Sequence, residues 1–462
     1  MIAFPGNTFP APSGAGPAQY VVYNGGGVSV PQNFLGSTFT APQVIRGLTD
    51  GYTQYVGSVS TATSFITMLN YDPRPDIWDS VTISSTGSLP TPLQAGVTYY
   101  PVNAVKGIPT TVLPILQLSA TPSGNPIILS TSGTGTISFN AFVTDLGLSP
   151  CISRGLDSGM PSWNIVNTSN GVYDWTKMDN YVNYHFTSRG RQSILTLNCT
   201  PSWAAVNQAL DAYGNPGGGQ VPTSLALPAT YCAAVWTRYN AGASKPFVGV
   251  EMWNEPSFAA PGTTGQNFCG TVSQLSQITR LVNQSVKAID SSALILSPGF
   301  TNGSAQVAPS SASTTTLYAY LNASDGAAGT AKQWIDGVCY HGYDTSPGNL
   351  VQLPAVNALL KSVLVGSGLS SSFPLYQTER GVNLGNPSAF FLQCAAIEAA
   401  LGIKMSILYN NDSYGINPRF DSSLRAKMNI FYSSICGKTI TYCAINQDGS
   451  VTTIANGVTQ TW

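Results

Sequence analysis

Two carboxyl groups in this 462-residue chain stand where chemistry can be done. The first is Glu255, in Phe247-Val-Gly-Val-Glu-Met-Trp-Asn-Glu-Pro256. That run opens as a short alternating apolar stretch with β-branched residues, which predicts a buried strand. Pro256 has no N–H to give a sheet ladder, so the strand must stop there. Trp253, Asn254 and Glu255 therefore share a strand's C-terminal tip. A carboxyl beside an aromatic wall can keep its proton near neutrality, as a general acid requires.

The second is Glu379, in Phe373-Pro-Leu-Tyr-Gln-Thr-Glu-Arg-Gly381. Leu375 and Tyr376 continue a strand, Glu379 stands near its end, and Gly381 breaks it. The two carboxyls lie 124 residues apart. Three strand–helix units of roughly 40 residues each span that distance, from strand four to strand seven of a (β/α)8 barrel. In such a barrel the C-terminal tips of the strands open into the active site.

This pair resembles the acid/base and nucleophile of clan A glycoside hydrolases, and within the clan it is most similar to family 39 and related endoglycosidases. The resemblance covers roughly residues 150–435. It implies that Glu255 is the acid/base, that Glu379 is the nucleophile, and that anomeric configuration is retained. The carboxyls would then be about 5–5.5 Å apart, close enough for a covalent glycosyl-enzyme. Asn254 can bond a sugar hydroxyl next to the reacting carbon. Arg154, in Cys151-Ile-Ser-Arg154, matches the family's strand-two arginine and would hold Glu379 ionised. Tyr340-His-Gly-Tyr343 is similar to the strand-six motif, so His341 and Tyr343 are expected against Glu379 or substrate. Trp203, after Thr200-Pro-Ser, can stack on a sugar face. Strand eight ends in Tyr409-Asn-Asn411, without the Trp that many clan members place under the reacting sugar, and Tyr409 is the residue expected at substrate there. Arg380 directly after the nucleophile is a second departure from the family.

The elements that must position these residues recur evenly. Strand tips are expected near 154, 199, 255, 298, 341, 379 and 409. The helix over 171–186 puts Trp175, Met178, Val182 and Phe186 on one face, begun by Asp174 and ended by Gly190. Strand one is placed in Gln32–Thr40, and the gap from there to Cys151 is too long for one unit. Between Asp79 and Asp145 the only charge is Lys106, and short β-branched runs alternate with Gly and Pro turns. That pattern predicts a small antiparallel β module, similar over about 60 residues to modules of phage and prophage tail proteins. The expected division is an extended arm over 1–32, the start of the barrel over 33–74, the inserted module over 75–142, the remaining barrel over 143–435, and a β appendage over 436–462. The uncharged, Gly- and Pro-rich arm and the module are expected to serve attachment or a homo-oligomer contact.

Charged residues make up only 8% of the chain against about 25% in ordinary domains, and net charge is −1. Electrostatic binding to nucleic acid or to an anionic membrane is not expected. No apolar run reaches the roughly 18 residues of a membrane span. No Lys or Arg precedes Arg46, so the positive start of a secretory signal is missing; an extracellular or virion-associated protein is still expected. None of the eight cysteines forms CxxC and only two histidines occur, so neither a metal nor another cofactor is expected. Cys436 and Cys443 have hairpin spacing and can pair. No GxSxG or HExxH occurs. The resulting expectation is a retaining glycosidase acting on a polysaccharide such as a bacterial exopolysaccharide or capsule; the alternative is a glycan-binding tail or surface protein that does not cut.

Overall fold

A computed structural model describes residues 18–37, 54–69, 80–105, 112–142, 152–155, 160–188, 190–301, 316–342, 350–380, 387–408 and 422–462. Its centre is a ring of parallel strands. In chain order these are Leu35–Ser37, Ile152–Arg154, Ser193–Thr196, Phe247–Glu251, a fifth in two pieces (Leu294–Leu296 and Phe300–Thr301), Val338–His341, Leu375–Arg380 and Ser406–Leu408. Each pairs in parallel with its neighbour, and the eighth pairs with the first. The two pieces of the fifth strand carry the two sides: Leu294–Leu296 pairs with the fourth strand and Phe300–Thr301 with the sixth. Strands two, three and six are buried at every residue, as parallel strands covered on both faces must be.

Helices alternate with the strands from the second onward. Val272–Lys287 starts in a full capping box, with Thr271 and Gln274 each satisfying the other's backbone N–H, and it buries Leu275, Ile278, Val282 and Val286 inward. Thr176–Val182 runs on as a π-helical turn, Asn183–Thr187, and buries Met178 and Val182. Asp174 accepts the Thr176 N–H at 3.0 Å, just ahead of this helix.

The chain between ring strands one and two builds a separate closed barrel of six antiparallel strands, Gln54–Val59, Ile66–Met68, Ser80–Ser85, Thr98–Val105, Ile115–Ser119 and Ile137–Phe142. It has its own core, including Ile66, Met68, Val81, Ile83, Leu116, Leu118 and Phe139. Its first strand begins earlier than residue 75, because Gln54–Val59 closes the sheet against Ile137–Phe142.

The N-terminal stretch is corrected most. Ala18–Ser29 is not an extended arm: it pairs antiparallel with Thr439–Asn446 and completes a four-stranded sheet with Val451–Ala455 and Val458–Thr461. The edge of the C-terminal sheet would otherwise offer unpaired backbone groups, and the β-branched and aromatic run Tyr20-Val-Val-Tyr23 supplies the strand that covers them. A second correction concerns Cys436 and Cys443, which form no disulfide. Both are buried, and the Cys443 thiol donates to the Ala396 carbonyl at 3.9 Å.

Candidate active site

The fourth ring strand brings three functional side chains to one end of the ring. Gly249 lets it pass close to the fifth strand, where a Cβ would lie 2.3 Å from the Leu294 carbonyl oxygen. Beyond Glu251 the backbone turns sharply: Trp253 has φ 109 and Glu255 φ 41, both in the region that side chains disfavour. The turn is held on both sides of Asn254, where Gly299 N–H donates to the Trp253 carbonyl at 3.0 Å and Glu255 N–H to the Gly299 carbonyl at 3.0 Å. Trp253 is fully buried, edge-on to Phe268 at 5.1 Å, and anchors the turn.

Arg154, at the end of strand two, is the hub. Its Nε donates to Glu251 Oε2 at 2.6 Å, Nη1 to Glu379 Oε2 at 2.7 Å, and Nη2 to Asn254 Oδ1 at 2.7 Å. Such charge-assisted bonds from a rigid guanidinium fix three groups on two strands at once. Glu251 is completely buried and also accepts from Thr196 Oγ1 at 3.0 Å and Thr378 Oγ1 at 2.6 Å. Burial alone would raise its pKa, but the charge of Arg154 and the bond and charge of His341 outweigh that, and Glu251 is held well below the ordinary carboxyl range.

Strand seven reaches the hub through a bulge. Tyr340 faces Gln377, yet the next residue His341 faces Glu379, and Gln377 faces Ser406 while Arg380 faces Leu408. One extra residue thus sits between the ladders. The Gln377 side chain fills the gap, donating to the Glu379 carbonyl at 2.6 Å and accepting the Ile407 N–H at 3.1 Å. Arg380 pairs with buried Glu398, which also accepts from Tyr340 at 3.1 Å and Ser406 at 2.7 Å.

His341 stands between the carboxyls. Its Nδ1 lies 2.7 Å from Glu255 Oε1 and 3.6 Å from Glu379 Oε2, and its Nε2 lies 3.7 Å from Glu251 Oε1. Gly299 makes room for it, since a Cβ there would lie 2.2 Å from His341 Nε2. Burial disfavours the imidazolium, but Glu379, Glu251 and Glu255 prevail and push the His341 pKa up to about 9. Burial likewise works to raise Glu255, but the bond and charge of His341 and the charge of Arg154 turn the net shift downward. This reverses the expected raised pKa: the cation beside Glu255 outweighs any apolar wall.

No protein-family model matches the chain, and no curated protein matches it. Among solved structures it is similar to a glucosidase from Croceicoccus marinus, at 11% identity and a TM-score of 0.43 over 65% of each chain. It is also similar to endo-glycoceramidase II from Rhodococcus sp., at 17% identity and a TM-score of 0.38 over 54% of this chain and 64% of that one. A third is a xyloglucanase of glycoside hydrolase family 44 from Paenibacillus polymyxa, at 12% identity and a TM-score of 0.43 over 66% of this chain and 81% of that one. This chain thus spans about two thirds of the length of the first two. Likeness at this level assigns no role to any residue.

Of the residues expected at the site, Arg154, Asn254, Glu255, His341 and Glu379 come together. Trp203 is half-buried and gives its indole N–H to the Asn167 carbonyl at 2.8 Å. Tyr343 and Tyr409 lie outside the described residues. Glu251, Thr378 and Gln377 were missed, as was Tyr213, whose hydroxyl accepts from Asn254 Nδ2 at 3.1 Å. Glu255, His341 and Glu379 could each offer one atom to a metal ion, all within 4.8 Å of one another. Arg154 already holds Glu379 Oε2 at 2.7 Å, and a cation bound by Glu379 would have to contend with that charge.

Proposed function

We propose that the protein is a retaining glycoside hydrolase, its parallel ring a (β/α)8 barrel, with Glu255 as acid/base and Glu379 as nucleophile. One observation carries the reading: an oxygen of each carboxyl and a nitrogen of His341 lie within 4.8 Å of one another, brought together from the ends of strands four, six and seven. That separation fits attack by a carboxylate better than the ~6.5–9.5 Å that leaves room for a water.

In the first step a Glu379 oxygen attacks the anomeric carbon, and the bond to the leaving oxygen breaks as that oxygen takes a proton from Glu255. In the second, water loses a proton to Glu255 and attacks the same carbon, and Glu379 leaves as carboxylate. The proton for the first step is held by the Glu255–His341 pair as a unit. With the site open it rests on His341. A bound sugar excludes water, and exclusion of water favours the neutral pair, with the proton on Glu255.

A bacterial exopolysaccharide or capsule is the polymer we favour, cleaved by an extracellular or virion-associated depolymerase. The phage-tail likeness of the inserted module and the Ser-, Thr-, Asn- and Gly-rich composition support that choice. The lowered pKa of Glu255 also fits a second reading, a glycan-binding protein that does not cut. Reducing-end release from a panel of bacterial polysaccharides separates the two, with the anomer of the first product followed by NMR. Release with retention is expected. Binding without release would establish the second reading, and inversion would remove Glu379 as nucleophile.

A further inference from the structure

Arg380 directly follows Glu379, and its side chain leaves the ring toward the helix Pro387–Ala400, where it pairs with Glu398. Arg380 is completely buried, and Glu398 is only 1% exposed. Glu398 Oε1 also accepts the Tyr340 hydroxyl at 3.1 Å, and its Oε2 accepts the Ser406 hydroxyl at 2.7 Å. One helix carboxylate thus joins ring strands six, seven and eight. Gly342 lies against the pair, since a Cβ there would be 2.8 Å from Arg380 Nη2. The Gly342 N–H donates to the Glu379 carbonyl at 2.9 Å.

This pair brackets two residues of the site. His341 stands between Tyr340, which is bonded to Glu398, and Gly342, which packs on Arg380. Glu379 stands one residue before Arg380 and gives its carbonyl to Gly342. The backbone on both sides of His341 and just after Glu379 is therefore fixed from outside the ring. Their side chains meet inside it, with His341 Nδ1 3.6 Å from Glu379 Oε2. Stability does not explain the pair. The cost of taking two charges out of water is often as large as their attraction returns. Among the described residues, Arg380 Nε and Nη1 are also buried without a hydrogen-bond partner, which adds to that cost.

We propose that Arg380 and Glu398 are positioning residues: from outside the ring they set how His341 and Glu379 face each other, and they add nothing net to stability. This rests on the glycosidase reading and adds to it two residues that act through others. A guanidinium bonded to a carboxylate has a fixed, directional geometry, whereas apolar packing tolerates small shifts of the strands. A displacement of about 1 Å at a reacting group can cost about 10²-fold in rate. A pair that is neutral or costly for folding can therefore still raise turnover.

The test combines Arg380→Met and Glu398→Gln in one protein. The double variant removes both charges together, and the new amide keeps an oxygen for Tyr340 and an N–H for the Ser406 oxygen. Its melting temperature should equal or exceed that of the wild type. On an activated aryl glycoside its kcat should fall by about 10- to 100-fold with KM within about twofold, because only the aim of the reacting groups is lost. An unchanged kcat overturns the inference. A melting temperature well below wild type also overturns it, because the pair would then be holding the fold. In both cases an active wild type leaves the glycosidase reading intact. A wild type inactive on aryl glycosides and on polysaccharides overturns that reading, and the inference with it.

Discussion

Thr378 and Glu379 are consecutive, yet both send side-chain oxygens into the same buried cluster. Thr378 Oγ1 donates to Glu251 at 2.6 Å, and Glu379 Oε2 accepts from Arg154 at 2.7 Å. In a regular strand successive side chains face opposite sides. The extra residue in strand seven is what puts both on one side, and it lets one strand both brace the hub and present a carboxyl to it. Bulges near active sites re-aim side chains in this way.

The bulge depends on Gln377, which satisfies the backbone groups it leaves open. Gln377→Met keeps the length and removes both bonds. Stability should fall by about 1–3 kcal/mol, the cost of leaving buried groups unsatisfied. Glu379 should also shift, so kcat on an activated glycoside should fall by about 10- to 100-fold with KM little changed. Thermal melts and steady-state kinetics on the same sample check this. A lowered melting temperature with unchanged kcat would mean that Gln377 braces the fold without aiming Glu379.

Glu251 makes the hub sensitive to acid. Its pKa is lowered in the folded protein to about 2 from an ordinary 4.5, so it contributes stability that is present above 4.5 and is lost as pH falls toward 2. Glu251→Gln removes that titration. It also leaves Arg154 short of a counter-charge, at a cost of about 3–5 kcal/mol. Denaturant midpoints between pH 7 and pH 3 should drop more steeply in the wild type than in the variant, whose curve starts lower. Parallel curves would mean that Glu251 is not the group being titrated.

How much was readable follows from where each signal is stored. The strand-four tip was legible because an apolar run leads into it and the residues that matter are adjacent in sequence, although the strand ends at Glu251 and not at Pro256. Arg154 and His341 were reached through the family resemblance, and they do meet the carboxyls. Glu251 has a signal of its own in the sequence, because a charge inside an alternating apolar strand needs a buried partner. Thr378 was illegible because a bulge reverses the facing that alternation predicts. Tyr213 lies in a loop without periodicity, and its partner is known only from three-dimensional contact. The stretch 18–29 carries the β-branched and aromatic run Tyr20-Val-Val-Tyr23, but its partner lies more than 400 residues away, so Gly and Pro content spoke louder.

His341 sets the range of pH over which the acid/base pair keeps its proton. Its pKa of about 9 makes it the last member of the pair to lose that proton. Activity of the wild type should therefore hold into mildly alkaline solution. In His341→Gln the proton must sit on Glu255 alone, and a carboxyl gives up its proton far below the pH at which His341 does. The alkaline limb of kcat/KM should move down by more than about one pH unit, with smaller loss near pH 5. A full profile on an aryl glycoside measures both limbs. An unmoved alkaline limb would show that another group supplies the proton.

The roles of the two carboxyls separate under truncation. Glu255→Ala removes the proton donor and base but leaves Glu379 held by Arg154 at 2.7 Å. It should lose about 10³-fold or more on a natural polymer, keep the glycosylation step on substrates whose leaving group needs no proton, and be rescued by azide with retained configuration. Glu379→Ala removes the atom that forms the covalent bond and leaves the Arg154 charge paired with Glu251 but without its second carboxylate. Its loss should be as large on every substrate, because no leaving group replaces a nucleophile. Azide bound in the vacated space, beside that charge, can attack the anomeric carbon once and give the opposite anomer. Product anomers by NMR, with and without azide, distinguish the two variants. Near-normal hydrolysis by either one would remove the pair from catalysis, and retained product from Glu379→Ala with azide would mean that its role belongs to another carboxyl on the rim.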